Sequence, residues 1–256
     1  MTVITLLTDF GTADYFVGAM KGAILSVNPL ATIADITHEV PPQDISSAAF
    51  LLLAAYKTFP AGTIHVAVVD PGVGSSRRPI IVSAGEHFFV GPDNGLFTYI
   101  YDRESSYEVF HVTAEKYFRE PRSTTFHGRD IFAPVAAALS NGVEVGMFGA
   151  TIEDEVRLES SLVADVKDGR VEGRIIHVDR FGNCVTNITR DVFDTGNLVI
   201  NGETIGDFRD FYADNPRNEP FAIWGSAGFL EISINGGSAA DKLRVKTGDR
   251  ITGFAR

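Results

Sequence analysis

Apolar residues in the first 155 positions alternate between short β-branched runs and longer stretches with helical spacing. The runs predict strands at Val3–Thr8, Thr32–Thr37 and Ile64–Val69, and the longer stretches predict helices at Tyr15–Val27 and Asp44–Phe59, the second with Asp44 as its N-cap. Further on, the pattern predicts two short strands around Gly85-Glu86 and helices over Asn94–Tyr101 and Ile131–Leu139. Strands that alternate with helices indicate parallel βαβ units, which bind ligands at the carboxyl ends of their strands.

After about Val163 the pattern changes to short β-rich runs separated by frequent turn signals. The pairs Asp168-Gly169 and Asn201-Gly202 and the triplet Asn235-Gly236-Gly237 fit hairpin turns. We therefore expect an N-terminal α/β domain, residues 1–160, with a parallel or mixed sheet and flanking helices. Residues 161–256 are expected to form an all-β domain, a small barrel or sandwich.

Composition narrows the classes of protein. The 256 residues are 45% hydrophobic and 21% charged, which is the balance of a globular chain with a sizeable core. A net charge of −11 argues against nucleic acid or an anionic membrane as partner. The single cysteine, Cys184, allows no internal disulfide, and the longest apolar stretch, Ala48–Tyr56, is far short of a membrane span. We expect a cytoplasmic protein.

Two loops at predicted strand ends carry carboxylates. Asp70 is followed by glycines and then by Arg77 and Arg78, either of which is a candidate partner for it. This loop is neither a Walker loop nor a dinucleotide fingerprint, so it gives no specific support for phosphate binding. The loop after the first strand holds Asp9 and Asp14, which suit sugar hydroxyls, an amino group or a metal ion, although Asp14 also fits a helix cap.

The segment Phe126–Asp130 directly precedes a predicted helix, where Asp130 fits an N-cap and His127 is a candidate for chemistry. A capped helix start explains the same residues without any function. The histidines show no paired HExxH spacing, so the case for zinc is weak. Turn chemistry alone also accounts for most of Asp179–Asn183 and Ser226–Glu231.

Five segments taken together resemble the S-adenosyl-L-methionine (SAM) hydroxide adenosyltransferase family, which is related to the fluorinases and chlorinases. They are Leu7–Gly11, Val69–Gly74, Gly91–Leu96, Phe126–Asp130 and Phe181–Asn183, in the family's order and spacing. The resemblance covers essentially the whole chain. It implies an α/β domain followed by a β-barrel, and a homotrimer whose active sites lie between one subunit's N-terminal domain and its neighbour's C-terminal domain. It also implies hydrolysis of SAM to adenosine and methionine.

The resemblance implies roles for individual residues. The family's water-activating trio falls on Asp70, Arg77 and His127, with Arg78 as the alternative arginine. The halogenases have tyrosine at the position of Asp70. A carboxylate there favours water over halide as the nucleophile. The residues expected to bind substrate are Asp9 at the ribose, Asp14, Asp179, Ser226 and Glu231 near the methionine end, and Phe181, Asn183, Tyr212, Asn235 and Gly236 around the adenine. The halogenases follow the serine with arginine, where this chain has Ala227.

Displacement at C5′ of SAM expels a neutral thioether, so it needs no acid on the leaving group, and we expect neither a metal nor a cofactor besides the substrate. Two other functions fit the same residues. One is a metal-dependent nucleotide or phosphate ester hydrolase that uses Asp9, Asp14, Asp70 and Asp130. The other is a non-catalytic sensor that binds SAM or adenosine.

Overall fold

The computed structural model describes residues 2–159 and 162–255, and the chain divides into two compact units, Met1–Leu158 and Glu159–Arg256. The predicted boundary between residues 160 and 161 falls on residues outside the described ranges. In the described ranges, no helix is both long and apolar enough to cross a bilayer.

The N-terminal unit is a seven-stranded mixed sheet with helices. Its strands are β1 (Val3–Thr8), β2 (Thr32–Thr37), β3 (Ile64–Val68), β4 (Pro79–Ala84), β5 (His87–Pro92), β6 (Tyr107–His111) and β7 (Thr151–Ile152). Its helices are α1 (Phe16–Val27), α2 (Ile45–Ala55), α3 (Thr98–Arg103) and α4 (Ala133–Ser140), the last preceded by a π-helical turn at Gly128–Phe132. The strand order is β2-β1-β3-β5-β4-β6-β7.

This sheet contains both parallel and antiparallel strand pairs, as expected of a parallel or mixed sheet. The pairs β2–β1, β1–β3 and β3–β5 are parallel, and the pairs β5–β4, β4–β6 and β6–β7 are antiparallel. Both β1 and β3 are almost fully buried, as parallel strands covered on two faces are. Helices α1 and α4 form one core with Ile4, Leu6 and Val66 of these strands.

Most predicted N-terminal elements are confirmed, and the differences have local causes. The Asp44 side chain caps α2 by accepting from the Ser47 amide at 2.9 Å. Gly85 and Glu86 join β4 to β5 with positive φ at both positions, as a tight hairpin requires. Helix α3 begins at Thr98 rather than Asn94, because Gly95 has φ +95°, which is incompatible with a right-handed helix.

The C-terminal unit is an eight-stranded antiparallel sheet that nearly closes into a barrel. Its strands are β8 (Asp165–Lys167), β9 (Arg170–Val178), β10 (Cys184–Thr189), β11 (Gly196–Ile200), β12 (Glu203–Ile205), β13 (Pro220–Trp224), β14 (Phe229–Ile234) and β15 (Arg250–Ala255). The order is β12-β11-β15-β9-β10-β14-β13, and β8 also pairs with β9. The chain just after β12 exchanges two backbone hydrogen bonds with Ala222 of β13, which brings the two ends of the sheet together.

The predicted fold class, an α/β domain followed by a barrel-like β domain, is confirmed. The hairpins at Asp168-Gly169 and Asn201-Gly202 are also confirmed. The hairpin predicted at Asn235-Gly236-Gly237 is wrong. This segment leads from β14 into helix α5 (Ala239–Leu243), because the Ser238 hydroxyl caps that helix by accepting from the Asp241 amide at 3.1 Å.

Candidate active site

Three polar side chains predicted to act together are in direct contact in the N-terminal unit. Asp70 follows β3 at the carboxyl edge of the sheet, and Arg77 lies at the far end of the same loop. The Arg77 Nε lies 3.0 Å from both Asp70 oxygens, and its Nη2 also donates to Oδ2. The same Nη2 lies 2.8 Å from Nδ1 of His127, which directly precedes the π-helical turn. Arg77 therefore bridges the carboxylate and the imidazole.

This contact determines which nitrogen of His127 carries the proton. An arginine side chain has only donors, so Nδ1 of His127 must accept and the proton of the neutral ring is on Nε2. Burial lowers the pKa of His127 below its ordinary value of 6.5, and the Arg77 charge lowers it further. At neutral pH the free edge of the ring is thus an N–H donor.

The ion pair between Arg77 and Asp70 is buried. The side chains of Arg77 and Asp70 are only 9% and 5% exposed. The Arg77 guanidinium also lies over the Phe132 ring, 5.1 Å from its centroid. An arginine in this setting is held in one orientation, so both of its partners are positioned with it.

The structure distinguishes the two arginines that the sequence left as alternatives. Arg78 points elsewhere and donates to Asp93 at 2.8 Å and to Asp154 at 2.7 Å. The Asp93 carboxylate also accepts from the Val156 amide, so this network ties the end of the N-terminal unit to the sheet. Arg77, not Arg78, contacts Asp70.

The Asp130 side chain has a role that sequence reasoning missed. It was predicted as an N-cap, and that is wrong: the π-helical turn has no side-chain cap, and Asp130 lies inside it, fully buried. Its carboxylate accepts from Arg129 at 2.7 Å and from the Ser123 amide at 2.8 Å, and it pairs with Arg119 at 3.5 Å. Asp130 thereby fixes the loop that leads to His127.

Asn94 is a second residue to which sequence analysis assigned no role. Its side-chain amide donates to the carbonyl of Val69, directly before Asp70, at 2.9 Å. Asn94 lies within Gly91–Leu96, one of the segments that carry the family resemblance. That position was the indication in the sequence that Asn94 has a role near the site. Asn94 supports the backbone that presents Asp70.

The two carboxylates of the first loop differ in their surroundings. Asp9 follows β1 at the same edge as Asp70, since β1 and β3 are adjacent and parallel. Its Oδ2 accepts from the amide of Gln43 at 2.8 Å, which orients the carboxylate. Asp14 is exposed and does not cap α1, whose N-cap residue is Tyr15 without a side-chain hydrogen bond.

The C-terminal unit contains a separate cavity of about 580 Å³. The residues that line it are Asp179, Phe181, Asn183, Tyr212, Ile234, Asn235, Gly236 and Gly237. Phe181 and Tyr212 are 77% and 47% exposed, so two aromatic side chains are available to a ligand. The cavity thus brings together all five residues expected around an adenine, together with Asp179.

Asp179 organises the turn that carries two of these residues. Its Oδ1 accepts from the amides of Phe181 and Asn183 at 2.8 and 2.9 Å, and its Oδ2 accepts from the Asn183 side chain at 2.8 Å. These contacts hold the backbone of the turn at Phe181 and the Asn183 side chain. The Asn235 side chain donates to the Asn215 carbonyl at 2.8 Å.

The two remaining candidates are not among the residues that line this cavity. Ser226 is exposed in the turn between β13 and β14. Glu231 connects to the cavity through Tyr212, whose hydroxyl donates to its Oε2 at 3.1 Å. Burial raises the pKa of Glu231 above its ordinary value of 4.5, and the nearby Asp179 charge also raises it, although the Tyr212 hydrogen bond opposes this.

The part of the chain that the structure describes contains no group of three or more His, Cys, Asp or Glu side chains able to hold a metal ion. Asp9, Asp14, Asp70 and Asp130, the acids of the metal-dependent alternative, accordingly form no such group. Asp70 and Asp130 are instead engaged with arginines.

Comparisons with known proteins agree with the geometry. The SAM hydroxide adenosyltransferase N-terminal domain matches residues 4–149 and the corresponding C-terminal domain matches residues 173–252. A protein of Methanocaldococcus jannaschii named (R)-S-adenosyl-L-methionine hydrolase is 38% identical over 98% of this chain and 95% of its own length. A fluorinase of an Actinoplanes species is 25% identical over 98% of this chain and 96% of its own.

Among solved structures, an uncharacterised conserved protein from Thermotoga maritima superposes with a TM-score of 0.90 at 36% identity, covering 97% of this chain and 98% of that one. The two domain models match in order along the chain, and the relative from Methanocaldococcus jannaschii matches over nearly its full length. The chain therefore belongs to the SAM hydroxide adenosyltransferase family.

Proposed function

We propose that the protein hydrolyses SAM to adenosine and L-methionine by attack of water on C5′ of the ribose. The observation that carries the proposal is the bridge that Arg77 makes between the Asp70 carboxylate and His127. The relatives named (R)-SAM hydrolase, 35–38% identical over nearly the full length, support the same reaction and the R configuration at sulfur.

The bond changes require little of the protein beyond positioning. A water oxygen forms a bond to C5′ while the C5′–S bond breaks, and the electron pair of the C5′–S bond goes to sulfur. The sulfonium becomes a neutral thioether, so the leaving group needs neither a proton nor a Lewis acid. Holding water in line with the breaking bond can supply on the order of 7–11 kcal/mol of the barrier reduction.

The tautomer of His127 assigns the proton transfers. Because Nδ1 accepts from Arg77, the neutral ring offers only the Nε2 proton and has no free acceptor nitrogen. His127 therefore orients the water by donating to its oxygen, and Asp70 accepts the proton that the water loses. Arg77 holds both groups and stabilises the negative charge that develops on the attacking oxygen.

The substrate contacts extend over both units. Asp9, whose second oxygen remains free beside the Gln43 contact, would bind the ribose hydroxyls. Phe181 and Tyr212 would stack on the two faces of the adenine, and Asn183, Asn235 and Gly236 would meet its polar edge. Asp14, Asp179, Ser226 and Glu231 are assigned to the methionine end.

The assembly proposed is a homotrimer in the cytoplasm, in which the N-terminal unit of one subunit and the C-terminal unit of its neighbour complete each site. What supports it is the resemblance and the distribution of the candidate residues over two units. Co-expression of Asp70→Asn and Phe181→Ala subunits tests it. Shared sites would give mixed trimers with restored activity, whereas sites within one chain would leave the mixture inactive.

The reaction is tested by incubating purified protein with each sulfonium epimer of SAM in ¹⁸O water, with and without a chelator. Adenosine labelled at the 5′-oxygen, in equal amounts with chelator, is the expected result. Loss of product with chelator would favour the metal-dependent hydrolase. Stoichiometric binding of SAM without product would favour the sensor.

A further inference from the structure

A cavity of about 450 Å³ lies against the trio in the N-terminal unit, and the reaction as described does not use it. Arg77 and His127 form part of its wall, whereas Asp70 and Asp9 do not line it. The other lining residues are Gly74, Ser75, Pro79, His111, Val112, Thr113, Glu115, Phe118, Arg122, Ser123, Thr124 and Ile131. The cavity thus adjoins two members of the trio without including the carboxylates at the sheet edge.

The wall of this cavity is suited to water. Hydroxyl groups come from Ser75, Thr113, Ser123 and Thr124, so donors and acceptors surround the space. Arg122 adds a charged group that is hydrogen-bonded to Glu115 at 3.0 Å. Thr113 and Thr124 are exposed, so the cavity is open to solvent, and its volume has room for several waters at roughly 30 Å³ each.

The need for such a space follows from the stoichiometry of the proposed function, on which this inference rests. Each turnover consumes one water and releases one proton, while the Asp70 side chain is only 5% exposed. SAM bound at Asp9 would cover the carboxyl edge of the sheet, because Asp9 and Asp70 end adjacent strands there. Replacement water then requires a route that the substrate does not fill.

We propose that this cavity holds the waters that replace the attacking water beside Arg77 and His127 after each turnover. The ligand of the site is water itself. In-line attack places the nucleophile opposite sulfur, so the methionine part of SAM extends away from the group that holds the water. The cavity therefore stays open during turnover.

Filling the cavity tests the proposal. Thr113→Phe and Thr124→Phe enlarge two exposed positions on different segments of the wall, neither of which belongs to the trio. Both variants should lower kcat by about tenfold or more at saturating SAM and change KM by less than about threefold, since substrate binding is untouched. Thr113→Val keeps the side-chain volume, and its kcat should stay near that of the wild type. Thr125→Phe enlarges an exposed position that does not line the cavity, and its kcat should also stay near that of the wild type.

Each outcome has one meaning. Unchanged kcat in both filled variants would overturn the water route, and so would a raised KM at constant kcat, because the cavity would then hold part of SAM. If Thr113→Val lost as much as Thr113→Phe, the loss at position 113 would not arise from the filled space, and an unchanged kcat in Thr124→Phe would then overturn the route. A wild-type protein that forms no adenosine would refute the proposed function itself, and this inference with it.

Discussion

Replacing Arg77 by glutamine should destabilise the protein through the buried carboxylate that remains. Asp70 is 5% exposed, and Arg77 is its ion-pair partner and is itself 9% exposed. Removing one member of a buried pair costs about 3–5 kcal/mol, because the other charge is left without compensation. For a unit of this size, a loss of 3 kcal/mol lowers the midpoint of thermal unfolding by roughly 6–12 °C.

A second substitution separates the effect of the buried Asp70 charge from the effect of the changed side-chain shape. In the double variant Arg77→Gln with Asp70→Asn, two neutral amides face each other and no charge is buried, so most of the lost stability should return. Activity should not return, since the double variant lacks both the base and the group that orients His127. A surface pair provides the matched control: Lys21→Gln breaks the exposed pair with Asp35 and should cost less than about 1 kcal/mol.

The assay is urea and thermal unfolding followed by circular dichroism. Tryptophan fluorescence is unsuitable, because the single tryptophan, Trp224, lies in the C-terminal unit and the change is in the N-terminal unit. A loss below about 1 kcal/mol in Arg77→Gln would show that no buried ion pair exists at this position. A double variant as unstable as the single one would show that the destabilisation arises from lost packing rather than from the Asp70 charge.

Three further outcomes are expected. Asp70→Asn should reduce turnover while leaving the Kd of SAM within about tenfold, measured by calorimetry, and unchanged turnover would remove Asp70 from the mechanism. The kcat of the wild type should fall on the acid side only below pH 6.5, where His127 protonates at Nδ1. In Asp130→Ala this fall should move to lower pH, because the Asp130 charge raises the pKa of His127. An unmoved pH profile with lost stability would show that Asp130 acts on the fold alone. Burial lowers the pKa of His65 to about 3, so the folded state excludes a proton that the unfolded chain binds. The stability contributed by His65 should therefore be full above pH 6.5 and decline by up to about 1.4 kcal/mol per pH unit toward pH 3. Urea unfolding at several pH values checks this, and the stability of His65→Gln should depend less steeply on pH.

The sequence alone was enough to predict the class of fold and the family. Strands β1 and β2 and the Asp44 cap follow from patterns within a few residues, where propensity, alternation and capping act locally. The family follows from five short segments in order. The roles of individual site residues stay predictions.

Tertiary structure decided the features that depend on partners distant in the chain. Arg77 and Arg78 are neighbours with the same chemistry, and only the packing of His127, Asp93 and Asp154 determines which of them meets Asp70. Local sequence equally cannot show that Asp130 is buried between two arginines instead of capping a helix, or that the turn after β14 enters a helix. Such choices are made by burial and charge pairing across the fold, whose free energies exceed the local preferences that a sequence pattern reports.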